Sequence, residues 1–173
     1  SERLEGCVVC AHPLVAFDAV QDQGIELRYD LCTACGVVQM NPRPNESELN
    51  HHYEQTYWEG VGNEDRSNTT PVQRRRARQQ RELAGAMPVR HLDIGCSSGT
   101  LLGEFGATQQ VGVEPGNEHR EQAAGAGIEV HASLEALAAT NPEPFDLVTM
   151  SHVLEHLRDP VGQLHMLRTL LAP

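Results

Sequence analysis

The chain has 173 residues, 24 of them acidic and 13 basic, and carries a net charge of −11 with histidine neutral. That length fits one good core with a small appendage, and with that charge no field of the whole molecule attracts nucleic acid or an anionic membrane surface, so any such binding would have to be local. No stretch approaches the roughly 18 apolar residues of a membrane span, and Ser1–Gly6 opens on charges instead of a signal sequence, so a cytoplasmic protein is expected.

From the N-terminus, the first feature is cysteine spacing. Four of the five cysteines form two like pairs, Cys7-Val8-Val9-Cys10 and Cys32-Thr33-Ala34-Cys35, with 21 residues between them. In a reducing compartment such pairs indicate one tetrahedral Zn2+ and not two disulfides, because each turn aims two thiolates at a common centre. A redox pair is the alternative for a single such motif; two of them, the second followed by Gly36, favour metal. Between and after the pairs, Ile25–Tyr29 and Val37–Met40 alternate like short strands. A zinc ribbon over residues 1–44 is therefore expected, with structural Zn2+ on Cys7, Cys10, Cys32 and Cys35, and Asn41-Pro42-Arg43-Pro44-Asn45 ends it.

Residues 45–87 read as a linker with N-terminal helices. Ser47–Trp58 is a helix or an aromatic-rich linker, whose His51, His52, Tyr53, Tyr57 and Trp58 pack between ribbon and main domain or close over a cofactor. Gly60–Thr70 is polar and loop-like. Pro71 to Met87 is helical in propensity, and its Arg74, Arg75, Arg76, Arg78 and Arg81 spread round the helix, which in so acidic a chain reads as a solvated face and not as an RNA site.

Over residues 88–173 strands and helices alternate. Strand-like runs at Val89–Ile94, Gln110–Val113, Ile128–Val130 and Phe145–Met150 interleave with helical stretches at Ser98–Phe105, Asn117–Gly125, Ser133–Ala139 and Pro160–Leu171. This is the pattern of an α/β domain with a parallel sheet. In the last helix Val161, Leu164, Leu167 and Leu171 recur at helical spacing and read as core.

In such a sheet ligands bind beyond the carboxyl ends of the strands. The first strand ends in Asp93-Ile94-Gly95-Cys96-Ser97-Ser98-Gly99, where Gly95 permits a sharp turn and Gly99 close helix packing. Glu114 ends the next strand about 20 residues on, where a carboxylate takes both hydroxyls of a ribose. The dinucleotide fingerprint Gly-x-Gly-x-x-Gly is not met, and the anionic Asp93 is a poor neighbour for a pyrophosphate. It suits a ligand carrying an ammonium and a sulfonium, as S-adenosylmethionine does.

Three stretches carry a resemblance: "HLDIGCSSGTLL", "VGVEPG" and "FDLVTMSHVLEHLRDP", preceded by "CGVVQMNPRP" at the exit of the cysteine-rich segment. In this order they resemble the class I S-adenosylmethionine-dependent methyltransferases, in particular bacterial sugar or natural-product enzymes with an N-terminal zinc ribbon. The resemblance implies a Rossmann-like sheet. Of its seven strands about four are present by Leu171-Ala172-Pro173, which leaves the C-terminal part of the fold, with much of the acceptor pocket, unaccounted for. It further implies that Asp93, Gly95, Cys96, Ser97 and Gly99 line the methionine and ribose end of the cofactor, that Glu114 and Pro115 hold the ribose side, that Ser133 lies near adenine, and that Ser151 and His152 face the transferring methyl.

Cys96 and Ser97 stand where the family often has glycine, and nothing nearby in sequence would make Cys96 a nucleophile. His152 is the candidate base, since imidazole can take a proton near neutral pH. His152-Val153-Leu154-Glu155-His156 also spells a zinc-protease pattern, but it follows a strand and is cut short by Asp159-Pro160, which that reading does not allow. A resemblance to RNA methyltransferases that hold a metal on a Glu/Glu/His set, here His152, Glu155 and His156, is a lesser alternative. The expectation is a methyltransferase for a small-molecule acceptor. The competing readings are an RNA methyltransferase and a non-catalytic ribbon protein with a degenerate nucleotide fold.

Overall fold

The computed structural model describes residues 1–22, 24–51 and 70–173. The expected cluster of His52, Tyr53, Tyr57 and Trp58, the side chain of His51, and the polar stretch up to residue 69 lie outside the described residues. Residues 1–52 with 158–161 form one compact unit, and residues 53–157 with 162–173 form the other. Among the described residues no helix is long and apolar enough to cross a membrane.

In the first unit β1 (Leu14–Asp22) pairs antiparallel with β2 (Ile25–Cys32), and β2 with β3 (Val38–Met40). The latter two stand where alternation put them. The sequence reading missed β1 because a register shift between Ala16 and Asp18 breaks its period of two. Its Val15, Phe17 and Val20 are exposed, so burial left no pattern to read. Polar side chains take the place of a core. Asn41, buried, receives the Leu4 N–H on Oδ1 at 2.8 Å and donates from Nδ2 to the Leu4 carbonyl at 3.1 Å, as a peptide group would. Gln39 accepts the Val8 N–H at 3.0 Å. Glu2 Oε1 takes both Arg43 and Arg158 at 2.7 Å, which holds its carboxyl below the usual range. The short α1 (Glu46–His51) opens on a reciprocal cap between Asn45 and Glu48, each accepting the other's N–H.

The second unit begins with α2 (Thr70–Ala84) and continues through β4 (Arg90–Ile94), α3 (Thr100–Phe105), β5 (Gln109–Val113), α4 (Asn117–Gly125), β6 (Glu129–His131), α5 (Leu134–Ala139), β7 (Leu147–Met150) and α6 (Pro160–Leu170). The strands are parallel in the order β6-β5-β4-β7. The chain runs outward from β4 through β5 and β6, then returns to β7 on β4's other side, so strand order reverses at β4.

The period of two sorts the faces. Leu92, Ile94, Val111 and Val113 join Leu134, Leu137, Phe145, Leu167 and Leu170 in the main core, under α5 and α6. On the opposite face Ala77 of α2 packs with Leu101 and Phe105 of α3, against Leu147. In α6 the expected core needs correction: Leu167 and Leu170 are buried, whereas Leu164 and Leu171 are exposed. The stripe faces the sheet through i and i+3 near the helix end, a shift of one residue that spacing alone did not fix. Helix α3 starts at Thr100, not Ser98, because Gly99 has a left-handed φ of 78° that no helix accepts.

Candidate functional site

The first unit gathers the four cysteines expected together. Cys7 and Cys35 sulfurs are 3.6 Å apart, Cys10 and Cys32 sulfurs 3.4 Å, and all four lie within 4.8 Å of one another. A disulfide would need about 2.05 Å, while a tetrahedron with metal–sulfur bonds of about 2.3 Å has an edge of about 3.8 Å. The two knuckles are built alike. Ala11 N–H donates to the Cys7 carbonyl at 2.9 Å and Gly36 N–H to the Cys32 carbonyl at 2.8 Å, with left-handed φ of 58° and 80°. N–H groups also face sulfur: Val9 N–H lies 3.4 Å from Cys7 Sγ, and those of Cys35 and Ala34 draw the Cys32 thiol down to about 6. Thiolate-favouring amides round four converging sulfurs fit a soft, tetrahedral ion. His152, Glu155 and His156 form no such cluster; among the described residues only the four cysteines gather as metal ligands.

The second site lies at the carboxyl end of β4. Gly95, Ser97 and Gly99 all have left-handed φ, of 71°, 49° and 78°. A Cβ at Gly95 would strike Val153, and one at Gly99 would strike Ile128, so both bare positions are required by packing as well as by φ. Glu114, 5% exposed, locks this loop: its Oε2 accepts the Ser97 N–H at 2.9 Å and its Oε1 the Gly116 N–H at 2.8 Å. Burial raises its pKa, and those two N–H groups oppose the rise. Pro115 is exposed beside it, and Arg120 donates to the carbonyls of both residues at 2.9 Å.

Asp93 is 2% exposed. Burial pushes its carboxyl up to about 7, against a hydrogen bond from Thr149 and the positive charge of Arg76. Cys96 turns its side chain into the core of the domain. The thiol packs over Gly112 within a cluster of Leu102, Ala123 and Ile128, and burial pushes its pKa up. Ser133 caps α5, accepting the Ala136 N–H at 3.1 Å. Ser151 accepts from Gln80 Nε2 at 3.3 Å, and His152, exposed with φ of 56°, sets Nδ1 3.6 Å from Glu155.

Residues 61–173, well over half of the chain, match the family model described as "Methyltransferase domain". The chain belongs to this methyltransferase family. The matched region contains the glycine loop, Glu114 and the β7 segment, and leaves the cysteine cluster outside it. Ubiquinone biosynthesis O-methyltransferases of Azotobacter vinelandii and Klebsiella pneumoniae are each 35% identical over 91 residues, 47% of this chain. The chain spans about two-fifths of the length of these relatives, 39% and 38%. Among solved methyltransferases, plantazolicin methyltransferase BpumL in complex with SAH superposes with a TM-score of 0.59 at 17% identity, over 72% of this chain and 53% of its own. The N-terminal domain of EvdMO1, in the presence of SAH and D-fucose, does so at 0.51 and 23%, over 58% and 47%. At these identities the likeness is one of fold.

Within this methyltransferase fold the structure adds residues that sequence reading passed over. Arg76 does not lie on the expected solvated face: Gln73, Arg76, Ala77 and Gln80 form the inward face of the helix, Gln73 and Ala77 buried and the other two half-buried. Arg81 is half-buried too: it donates to the carbonyls of Glu104 and Phe105 and lies 5.7 Å from the Phe105 ring centroid. Arg74, Arg75 and Arg78 do face solvent. Spacing of i, i+3, i+4 and i+7 was the available signal, hidden because the residues carrying it are polar.

Proposed function

We propose that this chain is an S-adenosylmethionine-dependent methyltransferase for a small-molecule acceptor, of the sugar or natural-product kind. The observation that carries the reading is the lock between Glu114 and the Ser97 N–H. It folds a bare loop onto a carboxylate at the strand-order reversal, with a second carboxylate, Asp93, on the neighbouring strand. A ribose between these groups meets the free lone pairs of Glu114, and an ammonium meets Asp93. The half-buried cation Arg76, close enough to act on Asp93, suits the carboxylate of the same amino-acid tail. This set does not suit a pyrophosphate, which wants backbone N–H groups and no buried acid.

When bound, the cofactor supplies a methyl group already activated on a sulfonium. The chain's own part is orientation and exclusion of water, with a base where the acceptor loses a proton. His152 is our candidate for that base role, its Nδ1 lying 3.6 Å from Glu155. Ser133 and Pro115 bound the adenosine side, and Ser151, fixed by Gln80, the methyl side. Zn2+ on Cys7, Cys10, Cys32 and Cys35 has a structural role. Relatives named for ubiquinone biosynthesis and neighbours solved with a monoazolic desmethylPZN analog or in the presence of D-fucose support a small acceptor. The net charge of −11 weighs against RNA.

Calorimetric titration of zinc-loaded protein with S-adenosylhomocysteine tests the reading. Binding is expected, and Glu114→Ala should weaken it by at least about tenfold, since it removes the ribose acceptor and leaves the Ser97 and Gly116 N–H groups without theirs. No binding by the parent protein favours the non-catalytic ribbon reading instead. Full affinity in E114A moves the cofactor site elsewhere.

A further inference from the structure

We propose that His91 and Thr149 are positioning residues for Asp93: a hydrogen-bonded relay in which one tautomer of His91 keeps the Asp93 carboxyl free of its proton and ready for the ammonium of the cofactor's amino-acid tail. The inference rests on the function proposed above and concerns groups that the methyl-transfer chemistry does not itself use.

Parallel register sets Asp93 beside Thr149, and His91 precedes Asp93 by two residues, on the same face of β4. All three are buried, His91 fully. Thr149 donates its hydroxyl hydrogen to Asp93 Oδ1 at 2.6 Å, and His91 Nε2 lies 2.7 Å from the same hydroxyl oxygen. A hydroxyl has one hydrogen. With that hydrogen on Asp93, the contact to His91 requires a hydrogen on Nε2. The opposite arrangement has a protonated Asp93 donating to Thr149 and Thr149 donating to a bare Nε2, which moves the imidazole hydrogen to Nδ1.

His91 Nδ1 is buried and has no hydrogen-bond partner among the described residues. A bare lone pair is tolerated there better than an N–H without an acceptor. The surroundings of Nδ1 therefore oppose the arrangement in which Asp93 is neutral. Nor does His91 hold two protons near neutrality, since burial lowers its pKa to about 4. Phe105, 4.4 Å away between ring centroids and tilted by 54°, fixes the imidazole plane.

The other groups facing Asp93 leave the outcome finely balanced. Arg76 from α2 favours the carboxylate, whereas Glu114 at the end of β5 opposes it, and the Cys96 thiol of the loop is near enough to respond to the Asp93 charge. With burial placing the carboxyl near neutrality, one hydrogen bond decides its state at physiological pH.

The test is the pH dependence of S-adenosylhomocysteine affinity, by calorimetry of zinc-loaded protein between pH 5.5 and 8.5. Thr149→Val should raise the midpoint by about one pH unit and weaken binding about fivefold at pH 7, and Thr149→Ser should restore both. A T149V profile that is unmoved, or lowered equally at every pH, reduces the relay to packing and overturns it. Independently of any variant's folding, 15N chemical shifts of the His91 ring should report hydrogen on Nε2 from pH 6 to 8; hydrogen on Nδ1 overturns the relay. Failure of the parent protein to bind at any pH overturns the proposed function, and the 15N measurement still decides the tautomer.

Discussion

His91 and Asp93 pull the pH dependence of folding in opposite directions. The folded pKa of Asp93, about 7, lies above its ordinary 3.8, so the folded state holds this proton more tightly and gains stability as pH falls from 7 towards 4. His91, lowered from 6.5 to about 4, is protonated first in the unfolded chain, so the folded state loses stability as pH falls from 6.5 towards 4. His91→Phe removes the second effect and, by freeing Thr149 to accept a hydrogen from a protonated Asp93, can only strengthen the first. Relative to the parent, H91F should therefore gain stability on acidification from pH 6.5 to 4.5, measured as the difference in Tm at each pH; a constant difference contradicts the opposed titrations. At this scale the sequence was legible where backbone geometry dictates residue type, as at Gly95 and Gly99. It was not legible at Thr149, whose meaning comes from the residue across the ladder.

The two cysteine knuckles show the same trade at the level of an element. Each closes through a left-handed residue, but one uses Gly36 and the other Ala11. A Cβ in that conformation costs about 1–2 kcal/mol, of which a glycine's extra freedom in the unfolded chain takes back about 0.5–1. Ala11→Gly should therefore relieve the first knuckle by up to about 1 kcal/mol, read as zinc affinity up to about fivefold tighter in a chelator competition; weaker binding would show that Ala11 makes contacts worth more than the strain. Elements whose apolar residues repeat were readable in advance: β4 to β7 and α4 were placed to within a few residues. Helix α2 was placed as well, but its inward face was not found, since Gln73, Arg76 and Gln80 give no hydropathy signal for one. In α6 the apolar residues are dense enough that two stripes fit, and packing chose Leu167 and Leu170.

Taken whole, the molecule pairs two modes of stabilisation. The second unit buries leucine, isoleucine, valine and phenylalanine on both sides of a sheet. In the first, the apolar side chains buried among the described residues are Cys7 and Cys32 alone. Such a unit cannot hold its strands by burial, and a metal ion on the four cysteines would supply that folding energy. Removal of metal by a strong chelator should abolish amide-exchange protection across Ile25–Cys32 and Val38–Met40, and Zn2+ should restore it; protection surviving metal loss would mean that the polar bonds of Asn41 and Gln39 suffice. The family was readable from three motifs in order because each marks a strand end where a backbone must turn. The acceptor left no comparable mark.

The packing of Cys96 against Gly112 has a historical consequence. The sulfur fills the volume that a methyl group at position 112 would need. A lineage carrying this cysteine cannot accept alanine at 112 until position 96 has shrunk, and one carrying alanine at 112 cannot acquire the cysteine. The route between the two states has a fixed order of steps, passing through small residues at both positions.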